Sequence, residues 1–112
     1  MGFSIHDQLP EDDPRQPIWK EQRLDYGFDD TELWNLDNVF AKFIYPRLIR
    51  FRYITESIPS SLNEKEWDTI LSKMTYSFGV LKGDRIYFEE EEEKKIKEGL
   101  ELFSKYYFDL WM

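Results

Sequence analysis

The chain reads as an all-α protein, a compact bundle of three to four helices preceded by an extended N-terminal arm. Three observations carry this expectation. Apolar residues recur every three or four positions in three separate runs, one run opens on a full capping-box signature, and the connections between runs are short enough to favour antiparallel neighbours. At 112 residues the chain fits one domain with a single core. Its content of 41% hydrophobic and 18% aromatic residues is too apolar for a disordered polymer, despite 34% charged residues.

Residues 1–28 hold Pro10, Pro14 and Pro17 among acids without a sustained period, so they are assigned to the arm. Phe3, Ile5, Ile18, Trp19 and Leu24 are its docking residues, with a short extended segment around Ile18 to Leu24. Residues 29–112 form the helical domain. Its first helix opens at Asp29 or Asp30, because Asp29 and Glu32 have capping-box spacing and acids suit the positive end of a helix. Leu33, Leu36, Phe40, Phe43, Phe51 and Ile54 continue at helical spacing. Pro46 removes a backbone donor in the middle and kinks or splits this run into two pieces meeting near Tyr45.

A turn at 57–62 leads to the clearest signal in the chain: Asn63 as N-cap, Glu66 at the box position, and Leu62 with Trp67 as a hydrophobic staple. Trp67, Ile70, Leu71, Met74, Phe78 and Leu81 supply one apolar face, closed by Gly79 or Gly83. Arg85 to Phe88 is a loop or a brief strand. Glu89 to Glu93 then feed a last helix with the face Ile96, Leu100, Phe103, Tyr107, Leu110 and Trp111. Leu102, Tyr106 and Phe108 fall outside that stripe, so this helix is apolar on more than one side. A homo-oligomer follows as the expectation, a dimer with this helix and the arm in the contact.

Composition excludes several functions. A net charge of −8, from 23 acids and 15 bases, repels DNA and anionic membranes. The absence of Cys removes disulfides and thiolate metal sites, and no apolar stretch approaches a membrane span. A cytoplasmic setting is the simplest. Catalytic templates fail: the sole histidine, His6, lies in the arm, the glycines form no phosphate loop, and there is no HExxH or zinc spacing. No cofactor or metal is expected. The acidic run Glu89 to Glu93 reads as a solvated helix start that offsets the dipole, with a divalent-cation site as the alternative.

Several motifs resemble a family of small, uncharacterised proteins encoded by bacteriophages. They are Trp34-Asn35-Leu36-Asp37, Ala41-Lys42-Phe43, Pro46-Arg47-Leu48, Glu64-Lys65-Glu66-Trp67-Asp68, and Glu98-Gly99-Leu100-Glu101-Leu102-Phe103 with Leu110-Trp111. The likeness covers residues 30–112. It implies an accessory protein acting inside a bacterial host, with interference in host defence as one class of role.

One basic cluster stands out. Residues 31–56 hold three acids and four bases, Lys42, Arg47, Arg50 and Arg52, interleaved with Tyr45, Phe51 and Tyr53. On a straight helix Arg47 falls within the stripe of Leu36, Phe40, Phe43 and Ile54, where burial without a partner would cost several kcal/mol. Its partner is an internal carboxylate, Asp37 or Asp68, or an anionic ligand. The functional expectation is a binding protein, not an enzyme, that sequesters a small phosphate-bearing ligand such as a nucleotide signal. Arg47, Arg50 and Lys42 would hold phosphates, with Trp34 or Tyr45 stacking on a base. The alternative is an acidic protein-binding inhibitor of a host enzyme.

Overall fold

The computed structural model describes residues 10–112, all helix and connecting loop, with no strand among them. Four α-helices follow in order: α1 (Gln16–Tyr26), α2 (Leu36–Ile54), α3 (Glu64–Leu81) and α4 (Glu90–Lys105). Short 3-10 turns lie at Asp30–Leu33 and Tyr107–Asp109. The helical-bundle expectation holds. No helix among the described residues is long and apolar enough to cross a membrane.

The arm requires correction, because residues 16–26 are helical rather than extended. Pro17 sits in the first turn, where its missing N–H costs nothing and its fixed φ already suits a helix. Gly27 closes α1 in the left-handed region at φ 82°, its N–H donating to the Arg23 carbonyl at 3.1 Å. The proposed boundary at residue 28 also cuts through a bonded unit. Arg23 meets the buried Asp29 carboxylate at 2.6 Å, and Gln22 exchanges two hydrogen bonds with Asp30. Trp19 is buried and packs edge-on against Trp34, ring centroids 5.7 Å apart. Phe3, Ile5 and His6 lie outside the described residues.

The capping box at Asp29 and Glu32 is present, but it opens only a 3-10 turn. Asn35, at φ −144° and ψ 57°, interrupts the run, so α2 begins at Leu36. From there α2 is one helix through Pro46, correcting the expectation of two pieces. Packing of one face outweighs the local cost of a helical proline.

In α3 the sequence pattern is realised closely. Glu66 N–H donates to Asn63 Oδ1 at 2.8 Å and Asn63 N–H to Glu66 Oε1 at 3.0 Å. Trp67, Leu71, Met74, Ser77 and Phe78 are buried along it. Segment 84–88 is a loop. The glutamates Glu90 to Glu93 form the first turn of α4, where Lys94 and Lys97 pair with Glu90, Glu91 and Glu93.

Helix α3 is the central element, with α2 and α4 running antiparallel along it. Asn38, near the start of α2, reaches the end of α3, while Arg52, near the end of α2, meets Asp68 at the start of α3. Ser77 Oγ donates to the Ile96 carbonyl at 2.8 Å, and Lys73 pairs with Glu98 at 3.1 Å. The molecule measures 53 × 34 × 19 Å, so its thin dimension is under two helix diameters. A body that flat leaves the outer faces of α2 and α4 exposed.

Candidate functional site

The face of α2 that enters the core is rotated from the expected stripe and shares only part of it, including Phe51. Buried positions are Asn38, Val39, Ala41 and Leu48, with Ile44, Tyr45 and Phe51 packed beside them. Leu36, Phe40 and Phe43 remain 55%, 42% and 36% exposed, because the seam with α3 is centred on Ala41, Ile44, Tyr45 and Leu48 instead. Arg47 follows the exposed row. It is therefore not a cation buried in an apolar seam, and that expectation is corrected. Its guanidinium lies 3.9 Å from the centroid of the Phe43 ring and donates to the Phe43 carbonyl at 2.8 Å. The carboxylate Asp68 pairs instead with Arg52, through two bonds of 2.7 and 3.0 Å. Those bonds hold the Asp68 carboxyl below its ordinary value, against a smaller opposing effect of burial.

The five expected ligand residues are not brought together. Trp34 sits in the corner between α1 and α2, against Trp19 and within 5.5 Å of the Arg15 guanidinium. Tyr45 lies on the backbone of α3 at Gly79, with the Lys82 ammonium 5.1 Å from its ring. Arg50 is exposed and approaches Tyr53 at 5.8 Å, and Lys42 is exposed. On a helix of 100° per residue, Lys42, Arg47 and Arg50 spread over about 140°. They form no common pocket.

Two other features are built. The first is a continuous run of aromatic rings across one side of the layer. Phe40 of α2 and Phe103 of α4 meet over Phe78 of α3, with centroids 5.8 Å (Phe40 to Phe78), 5.1 Å (Phe78 to Phe103) and 6.3 Å (Phe40 to Phe103) apart. The run continues through Tyr107 to Phe108, each step 5.8 Å. Its outer members are open to solvent, Tyr107 at 58% and Phe108 at 87%. By helical spacing Leu36 flanks Phe40 on α2 and Leu100 flanks Phe103 on α4, whereas the Phe43 ring is covered by the Arg47 guanidinium. The expected stripe of α4 is realised in part. Of that stripe Ile96 is buried and Phe103 and Leu110 pack against the core, joined there by Gly99, Leu102 and Tyr106, whereas Leu100, Tyr107 and Trp111 face out.

The second feature is a cleft of about 320 Å³ between the end of α2, the following loop and the start of α3. Arg52, Tyr53, Glu56, Glu64, Trp67 and Asp68 line it, with Thr55, Ile58 and Leu71. Trp67 is buried, edge-on to Tyr106 at 5.6 Å, yet its Nε1–H has no hydrogen-bond partner. A buried donor left unsatisfied costs about 1–3 kcal/mol. Sequence reasoning assigned Trp67 to the staple and the core, correctly, but nothing in its spacing signals an orphaned indole nitrogen. Among the described residues no group of three or more His, Asp or Glu is placed to hold a metal ion.

No family model matches the chain, and no curated protein or solved structure matches it. The functional reading therefore rests on the surfaces themselves.

Proposed function

We propose that this protein is a non-catalytic binding module that docks onto another protein through the aromatic run from Phe40 to Phe108. The observation that carries the reading is the exposure of the two ends of that run, Phe40 at 42% and Tyr107 and Phe108 at 58% and 87%, joined through the buried Phe78 and the half-buried Phe103, on a chain of net charge −8. An apolar centre supplies affinity and a surplus of carboxylates steers the approach of a basic surface, so the partner is a protein with a basic rim around an apolar patch. In the setting implied by the phage resemblance over residues 30–112, the module is an accessory inhibitor of a host enzyme. Sequestration of a phosphate-bearing ligand has less support, since none of Lys42, Arg47, Arg50, Trp34 and Tyr45 lines the cleft described above.

The test is co-purification from bacterial lysate with wild type and with the double variant Leu36→Asp, Phe108→Asp. Both positions are more than half exposed, so circular dichroism is expected to show an unchanged fold. Wild type retains a protein partner at low salt and holds it less firmly at raised salt, and the variant loses it. Recovery of the same proteins by both forms overturns the reading. A wild-type dimer in light scattering that the variant abolishes reassigns the face to a second copy of the chain.

A further inference from the structure

The cleft at the α2–α3 end lies apart from the aromatic run and carries a different chemistry. Its charged lining comprises Glu56, Glu64 and Asp68 against Arg52 alone, and Arg52 is already neutralised by its two bonds to Asp68. Two carboxylates, Glu56 and Glu64, therefore face an opening whose aromatic members are the highly exposed Tyr53 and the buried Trp67. The indole N–H of Trp67 lacks an acceptor in a residue only 2% exposed. A carboxylate pair with an aromatic ring suits a guanidinium or ammonium group. A donor without a partner suits a carbonyl oxygen. A basic residue within a peptide brings both groups, separated by one side chain, and a cleft of about 320 Å³ is at the lower end of the sizes that hold small ligands.

We propose that this cleft is a binding site for an arginine- or lysine-bearing segment of a partner protein. The cationic side chain lies between Glu56 and Glu64 beside the Tyr53 ring, and Trp67 Nε1, closed to solvent in the free protein, is uncovered as the segment enters and donates to one of its main-chain carbonyls. The proposal deepens the protein-docking reading by naming the chemistry of the partner, and it is separable from it because the aromatic run takes no part in the site.

The experiment follows the four indole N–H signals of ¹⁵N-labelled full-length protein by NMR, with Trp67→Phe used to assign the Trp67 signal. The probe is a blocked tripeptide, acetyl-Gly-Arg-Gly-amide, with acetyl-Gly-Glu-Gly-amide and spermidine as controls. The arginine peptide is expected to move the Trp67 signal downfield and saturably. The double variant Glu56→Gln, Glu64→Gln, at exposed positions, weakens that binding at least tenfold. The variant Leu36→Asp, Phe108→Asp leaves it unchanged, so loss of lysate capture and loss of peptide binding are read separately. A Trp67 signal that stays still at millimolar arginine peptide overturns the proposal. So does a shift reproduced by the glutamate peptide or by spermidine, which has no carbonyl, or a shift that survives both glutamine substitutions.

Discussion

The central helix α3 is gripped on two sides, and the two seams are held by different means. Against α4 the contact is set by backbone proximity. A Cβ placed on Gly99 would stand 1.9 Å from Ser77 Oγ and 2.4 Å from the Lys73 carbonyl oxygen. Against α2 the contact is set by side chains: Ala41 and Leu48 in the core, the Tyr45 ring over Gly79, and polar clasps at the two ends, Asn38 at one and Arg52 with Asp68 at the other. A seam made of backbone cannot give way when crowded. A seam made of side chains can rearrange, and it loses stability in proportion to the bonds removed.

The largest effect expected from this contrast is at Gly99. Gly99→Ala gains helix propensity of about 1 kcal/mol, but the new methyl meets a carbonyl oxygen that moves only if α3 and α4 separate. A net destabilisation of about 2 kcal/mol or more is expected from overpacking, read as a lower urea midpoint. Adding Ser77→Gly removes the hydroxyl but not the Lys73 carbonyl, so the double variant stays destabilised. Gly79→Ala is the matched control on the other seam. Its Cβ would lie 2.7 Å from Tyr45 Cε1, the rim of a half-buried ring that can swing outward, so the change is expected to stay within about 1 kcal/mol of wild type. Equal losses at the two glycines would remove the distinction between the seams.

The same contrast explains what was legible in the sequence. For α3, a helix covered from both sides, the capping box and the apolar stripe are strong local signals, and both are realised at Asn63, Glu66, Trp67, Leu71, Met74 and Phe78. For α2 and α4, each covered on one side, the apolar stripe read from spacing is only partly the buried face: Phe51, Ile96, Phe103 and Leu110 reach the core. The α4 seam also runs through Gly99, whose small size permits approach, the α2 seam is centred on Ala41, Tyr45 and Leu48, and Phe40, Phe43, Leu100 and Tyr107 are left partly or largely exposed. Arg47 was misplaced for the same reason: its row is exposed, and the aspartate pair belongs to Arg52, five residues on. Helix α1 was hidden by Pro14 and Pro17, which mark its beginning rather than forbid it. The cleft was not readable at all, since Glu56, Glu64 and Trp67 become a site only when the 55–63 loop folds back.

Asn38 sharpens the account of the α2–α3 seam with an intermediate effect. Its Nδ2 donates to the carbonyls of Lys82 and Gly83 at 2.9 Å and approaches that of Leu81 at 3.3 Å, satisfying acceptors that the end of α3 leaves open. Asn38→Ala is expected to cost about 1–2 kcal/mol, as a buried polar set loses its donor. Asn38→Asp should cost more than alanine, because a carboxylate would replace the donor with negative charge at the negative end of a helix. Were aspartate tolerated better than alanine in chemical denaturation, the capping role would be refuted.

The other clasp, Arg52 with Asp68, should have the smallest effect and a distinctive pH dependence. Both side chains are well exposed, at 39% and 52%, so solvent screening limits the pair to about 0.5 kcal/mol. The folded protein holds the Asp68 carboxyl below its ordinary value, first through the Arg52 hydrogen bonds. A depressed carboxyl stabilises the fold fully above its unfolded value and loses that contribution as pH falls through the folded one. Arg52 stays charged throughout this range, since the same bonds raise its value further. The difference in unfolding free energy between wild type and Asp68→Asn is therefore expected at pH 7 and should shrink steadily toward pH 2. High salt should reduce it at pH 7. A gap that instead widens on acidification would show that Asp68 stabilises the seam through something other than its charge, and the two seams would then differ less than their geometry implies.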